Sequence, residues 1–430
     1  QHPDSSKSAM DENSGFLAAL VNHAETNAAE HLDRFLSTFA QLREDSVEDL
    51  RAWATPADGE HTSMLSEQVF DAGIRWSRTL EELRHRHDEI AEILPRLRKE
   101  AAIPDAGQDA VRAVKDAEAT ITWITDLLKK GNEEYWIAAL EEYGLFPNYT
   151  LVDDSVELEV SLSWYDPDNA KYQDKTVPFK RGSAAALQDF APGATFYAMG
   201  HAITIDAIDL GRDATSIRTW AVCPECGYIQ DLANGLNPPA LCPRCHTQGI
   251  SDVSQHVDVI ELTRTSASLQ RDESRIDDRT EERVRAGFTI VPAADIDPSK
   301  IRSEWYTEHL EFGAQYLDRV DLRWFNLGEI APHAPNKQVA GGNYKAQLFR
   351  ICESCGHLDY TAGTNARSEH RSWCRHRNAL EEHVRTVALT RSLTTQAVLM
   401  PLPQWIVAGD LFALPSLKAA LLLGLREQYG

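Results

Sequence analysis

The chain has 430 residues, 43% of them hydrophobic, and 66 acidic against 43 basic side chains give a formal net charge of −23. That length favours two to four domains with buried cores. The charge excludes a protein that coats nucleic acid by bulk attraction, and no run of about eighteen apolar residues offers a membrane-spanning helix. The N-terminus, QHPDSSKSAMDENSG, lacks an initiator Met and a signal-peptide apolar region, so the sequence reads as cytoplasmic and as a piece of a longer chain.

Residues 1–145 read as long helices, rich in Ala, Leu, Glu and Arg, and as an arm or connector. In TLEELRHRHDEIAEILPRLRKE, Leu83, Ile90 and Leu97 recur every seven residues, as do Leu80, His87 and Leu94, which predicts a coiled-coil-like face. Pro95 is expected to kink or break it. Loops near EHTS, IPDAG and KKGNEE predict a helical hairpin or small bundle, with a structural spacer as its bland reading.

At EEYGLFPNYT, Gly144 and Pro147 stop the helix and the pattern becomes alternating. VELEVSLSW, TFYAMG and HAITIDAIDL predict a small antiparallel sheet over 146–222, with a turn at Pro192-Gly193. Strands are expected again at VDVIELT and GFTIVPA. Between them RTSASLQRDESRIDDRTEERVR reads as a charged connector, solvated or helical, within a mixed α/β segment 266–345. His309, in EWYTEHLEF, reads as a packing or surface imidazole on an amphipathic helix.

All seven cysteines fall in two groups. Cys223-x2-Cys226 and Cys242-x2-Cys245, in a module spanning 223–265, have the spacing of a four-thiolate zinc ribbon. Each CxxC aims two sulfurs at one point, and Gly227 permits the backbone to reverse after the first knuckle. His246 stands where the second would want Gly, and could be mistaken for a ligand. Disulfides or a redox CxxC are the competing readings. Cys352-x2-Cys355 followed by His370-x3-Cys374, within 346–430, predicts a second, three-thiolate and one-imidazole zinc site. If 368–376 is helical, His370 and Cys374 share a face one turn apart; His376 is the competing fourth ligand, and a buried ordinary thiol at Cys374 the plain alternative. The same module is expected to end in a strand and a helix.

Residues 1–150 carry 15 basic and 29 acidic side chains, whereas 343–400 carry 8 and 5. Any phosphate contact is therefore expected in the C-terminal half. Arg367, Arg371, Arg375 and Arg377 surround Trp373, a set suited to pairing phosphates and stacking a base. The alternative is a solvated or bracing set balanced by Glu369, Glu381 and Glu382. No GxxxxGK[ST], DExx box, HExxH or GxSxG occurs, so no catalytic motif is found in this chain. The predicted class is α+β: a helical hairpin or bundle, then small antiparallel β domains with two zinc modules.

The order GLFPNYTLVDDSVELE, ALQDFAPGATFYAMGHAITIDAIDL, two pairs of knuckles, EHRSWCRHR and ALTRSLTTQAVLMPLP resembles the C-terminal region of MrfA-type superfamily 2 (DEAD/DEAH-box-like) DNA helicases. It is also similar to helicase-like components of DISARM-type phage defence. The likeness covers roughly residues 140 to 410. It implies two structural zinc ions and an accessory role beside ATP-dependent motor domains, in DNA repair or anti-phage defence. ATP would be used only through those motor domains, absent from these residues, with DNA as a candidate partner and no membrane. The family's glycine-rich YDTVPGG-like segment does not follow LREQYG. The rival expectation is a zinc-stabilised scaffold subunit that touches no nucleic acid; a third is a zinc enzyme, which would need one site to open.

Overall fold

The computed structural model describes residues 16–39, 42–56, 62–104, 107–133, 155–166, 171–211, 214, 216–232, 235–270, 274–276, 287–309, 312–359, 370–377, 383–403 and 412–429. It is an α+β protein of two compact units, each discontinuous in sequence. The first comprises 1–216, 262–286 and 349–386; the second 217–261, 287–348 and 387–430. The five consecutive segments expected from composition are therefore interleaved. Among the described residues, no helix is long and apolar enough to cross a membrane.

The first unit begins with α1 (Phe16–Leu36), α2 (Glu44–Ala54), α3 (Met64–Ala101) and α4 (Gln108–Glu133). Ser63 caps α3, accepting a hydrogen bond from the Ser66 amide. The helix runs through Pro95 without ending: Leu83, Ile90 and Leu97 are buried as the heptad predicts, and their packing outweighs a lost backbone hydrogen bond. The loop at IPDAG separates α3 from α4, whereas the expected helix stop at Gly144 and Pro147 lies outside the described residues.

The sheet of this unit has the order β2-β1-β9-β5, made of β1 (Ser155–Asp166), β2 (Lys171–Gly182), β5 (Ala207–Ile208) and β9 (Arg264–Gln270). β1 and β9 run parallel, pairing Glu157 with Arg264. So 146–222 is not one antiparallel sheet, and the expected charged connector starts as a strand. A short helix, α5 (Ser183–Asp189), follows β2; β3 (Thr195–Ala198) and β4 (His201–Thr204) form a separate hairpin after the turn at Gly193. β15 (Phe349–Cys352) also belongs here.

The second unit is a larger sheet of order β13-β14-β12-β16-β8-β6-β7, with β10 and β11 also on β12. These are β6 (Ile217–Val222), β7 (Ile229–Asp231), β8 (His256–Glu261), β10 (Phe288–Asp295), β11 (Ile301–Tyr306), β12 (Gly313–Ile330), β13 (Asn336–Val339), β14 (Gly342–Gln347) and β16 (Val384–Leu399). The strands expected at VDVIELT and GFTIVPA are β8 and β10. His309 is not on a helix: it lies in the connection between the antiparallel strands β11 and β12. Val222, Val259, Val291, Phe325, Leu327 and Ala388 form the core. The expected C-terminal strand and helix are β16 and α6 (Ala413–Tyr429).

One buried carboxyl of the first unit carries a pH signature. Glu159, on β1, is pushed up to about 8 by burial, against the opposing pull of Arg264 and Arg86. A folded-state value above the ordinary one means that its contribution is intact at acid pH and is lost as pH rises from about 4.5 towards 8. Glu159→Gln removes that loss: the variant is expected to match the parent near pH 4 and exceed it by on the order of 3 kcal/mol above pH 8. Urea unfolding at the two pH values reads the difference.

Candidate metal centres

Three CxxC knuckles share one backbone pattern. In the first, the Gly227 amide donates to the Cys223 carbonyl at 3.1 Å and the Cys223 amide to the Tyr228 carbonyl at 2.8 Å. In the second, His246 and Thr247 take the same places around Cys242, at 2.9 and 3.0 Å; in the third, Gly356 and His357 do so around Cys352, at 2.9 Å each. The residue after the second cysteine must adopt a left-handed conformation to close this loop: φ is +77° at Gly227, +68° at Gly356 and +57° at His246. Gly takes this φ freely, and a side chain is strained by it. His246→Gly is therefore expected to raise stability by about 1 kcal/mol, measurable as a shift in the thermal midpoint of the metal-loaded chain.

Cys223, Cys226, Cys242 and Cys245 converge in the second unit, with their ligand atoms all within 4.8 Å of one another. The Sγ–Sγ distance is 3.6 Å for Cys223–Cys245 and 3.5 Å for Cys226–Cys242. A disulfide needs about 2.05 Å, whereas a tetrahedron with metal–sulfur bonds of about 2.3 Å has edges of about 3.8 Å. The donors are thus arranged for a metal ion, and the cysteines are not paired as disulfides. Thr247 Oγ1 lies 2.9 Å from Cys245 Sγ and holds that thiol down at about 6, towards the thiolate form that binds metal. Around the knuckles, Arg244 spans Asp295 with contacts of 2.6 and 3.4 Å and lies over the Tyr228 ring, and the Gly341 amide donates to the Pro224 carbonyl at 2.7 Å. His246 takes no part in the donor set.

The second donor set, Cys352, Cys355, His370 and Cys374, belongs to the first unit and also falls within 4.8 Å. Cys352 and Cys374 are 3.8 Å apart, and His370 Nδ1 lies 3.6 Å from Cys374 Sγ and 3.9 Å from Cys355 Sγ. A tetrahedral site with one nitrogen of bond length about 2.05 Å has N–S edges of about 3.6 Å. The segment after His370 is a series of turns, not the expected helix; these turns themselves bring imidazole and thiol together. His376 is engaged elsewhere: its ring stacks on His383 at 3.6 Å and its Nε2 accepts from Arg375 Nε. Its amide, like that of Ser354, donates towards a ligand sulfur, at 3.3 and 3.4 Å. Such N–H···S contacts fix the sulfurs and spread their charge.

Two arginines around this set, Arg371 and Arg377, are tied into polar networks within the fold. Arg371 is 8% exposed, and its guanidinium donates to Asp206 Oδ1 at 2.5 Å, to Ser266 Oγ at 2.9 Å and to Ser268 Oγ. Trp373 is 4% exposed and packs beside the ligand sulfurs. Both side chains expected to meet a phosphate or a base are thus buried in this structure. Arg377 is mostly buried against Glu100 and the Ser372 carbonyl; Arg375 is 55% exposed, 3.9 Å from Glu89. Arg367, Glu369, Glu381 and Glu382 lie outside the described residues.

No protein-family model, curated protein or solved structure matches the chain. Its site residues therefore stand on their own geometry. The partners of Arg371 escaped the sequence reading because Asp206 and Ser266 lie 165 and 105 residues away, and nothing local marks an arginine for burial.

Proposed function

We propose that this chain is a zinc-braced accessory region of an ATP-dependent DNA helicase, acting in DNA repair or anti-phage defence beside motor domains that supply the ATPase. Its two donor sets hold structural zinc. The observation that supports the structural role is closure: each set offers four thiol or imidazole donors at tetrahedral spacing, so a bound ion has no position left for water or substrate. When bound, zinc supplies a cross-link and no chemical step. Cys223, Cys226, Cys242 and Cys245 hold one ion; Cys352, Cys355, His370 and Cys374 hold the other. The helicase class rests on the ordered motifs from GLFPNYT to ALTRSLTTQ.

The burial of Arg371 and Trp373 favours a second reading, an interaction scaffold of a multi-protein complex that touches no nucleic acid. Two measurements decide. Elemental analysis is expected to give two zinc ions per chain, and any other stoichiometry removes the two-site assignment. Anisotropy with labelled single-stranded DNA is expected to show binding that falls steeply with salt and falls again in Arg375→Ala, at an exposed residue outside the buried network. No binding at low salt would leave the scaffold reading.

A further inference from the structure

The second donor set is embedded in the core of the helical hairpin. One apolar cluster contains Leu83, Ile90 and Leu97 of α3 and Val114, Ala117 and Ile124 of α4. Among the described residues its only buried members outside the hairpin are Cys352, Cys355, Trp373 and Cys374. The inner face of the hairpin is therefore covered by the ligand loops and by the tryptophan between two of the ligands.

Polar contacts follow the same path. Ser372 Oγ donates to Asp116 Oδ2 of α4 at 2.7 Å, Arg377 pairs with Glu100 of α3, and Arg86 of α3 lies 5.6 Å from the centre of the Trp373 ring. On the other side, Arg371 binds Asp206 and the β9 residues Ser266 and Ser268, and the Ile208 amide of β5 donates to the Gly356 carbonyl at 3.0 Å. Residues 371–377 thus touch helices in one direction and the four-stranded sheet in the other. Direct hairpin-to-sheet contacts include the ion pair of Arg86 with Asp209 at 3.3 Å, the hydrogen bond of Ser268 with Asp116 at 3.2 Å, and Arg264 over Trp123.

We propose that the second metal set is a latch, and that its occupancy by zinc decides whether the α3–α4 hairpin is held on the β2-β1-β9-β5 sheet. With the ion in place, Cys352 and Cys355 are cross-linked to His370 and Cys374, and Trp373 is fixed in the hairpin core. Without it, two loops lose their only covalent-strength tie, and the apolar cover of Leu83, Ile90, Leu97 and Ile124 goes with them. The hairpin then opens while the sheet, whose strands pair independently of the ligands, persists.

This inference rests on the zinc reading, and the test separates the two. Hydrogen exchange on the full chain, with metal content measured on each sample, compares the wild type, the wild type titrated with a soft-metal chelator, Cys374→Ser and Cys226→Ser. Loss of the second ion is expected to speed exchange about tenfold or more across residues 83–97 and 114–124, while β1 and β2 change by less than about twofold. Cys226→Ser, which empties the other set, is expected to leave the hairpin as protected as before. Should Cys374→Ser fail to fold, the chelator titration supplies the same comparison. A chain that loses its second ion with the hairpin still protected overturns the latch alone, and so does loss of β1–β2 protection in step with the hairpin. Purified chain without metal overturns the zinc reading and the latch together.

Discussion

Gly356→Ala is expected to cost at least about 4 kcal/mol and to lower the metal content from two ions per chain to one. Two independent penalties meet at this position. Its φ of +68° strains any side chain, and a Cβ there would lie 1.9 Å from the Ile208 carbonyl oxygen and 3.0 Å from its carbon. The clash cannot relax cheaply, because both partners are backbone and the Ile208 amide bonds the Gly356 carbonyl in return. Moving the knuckle would displace Cys352 and Cys355 together. The other knuckles calibrate the effect. At Gly227 the added carbon would meet Ala293 Cβ at 2.9 Å and Ala340 Cβ at 3.0 Å, side-chain contacts that can yield somewhat, so Gly227→Ala should cost less. At His246 the strain is already present, and its removal has the opposite sign. Chemical denaturation followed by elemental analysis ranks the three; equal costs at Gly227 and Gly356 would refute the steric account.

How much of this could be read in advance depended on the range of each interaction. The donor sets were legible because a CxxC knuckle is built within five residues, and its glycine requirement is local as well. The face of α3 was legible for the same reason, since Leu83, Ile90 and Leu97 need only helical periodicity to be aligned. The second unit was harder. β12 buries Leu317, Val320, Phe325 and Leu327, and its alternation is interrupted by an irregularity between Leu317 and Val320, so no simple period of two survives. The bounds expected at 222/223, 265/266 and 345/346 fall within a few residues of the crossings at Ile217, Leu262 and Phe349, but nothing local tells that the segments alternate between two units, or marks the crossings at Gly287 and Val387. The burial of Arg371 and Arg377 was not legible, because the arginines of this stretch look alike in sequence. The partners of these two are far away in the chain, Asp206 for Arg371 and Glu100 for Arg377.

Arg371→Ala is accordingly expected to destabilise the chain by about 3 to 5 kcal/mol, whereas Arg375→Ala, four residues on and solvent-exposed, should cost less than about 0.5 kcal/mol. The asymmetry follows from burial. Removing the Arg371 guanidinium leaves the Asp206 carboxyl in the interior with its counter-charge gone and strips donors from Ser266 and Ser268. Burial already pushes Asp206 up to about 6 against the opposing pull of Arg371, and loss of that cation raises it further. The sign of the pH dependence follows. Well below the ordinary carboxyl value of 3.8 Asp206 is protonated in folded and unfolded chains alike, so the missing cation costs least there. As pH rises through 6 the parent ionises at little cost while the variant must keep its proton or bury a lone charge, and the gap between them widens. Adding Asp206→Asn to Arg371→Ala should recover part of the loss and flatten that dependence. Urea unfolding of the four chains of this cycle and of Arg375→Ala at pH 5 and pH 8 gives the answer: an Arg371→Ala loss no larger than that of Arg375→Ala would show that the pair does not hold the loop, and any DNA-binding defect of Arg371→Ala would then need another cause than misfolding.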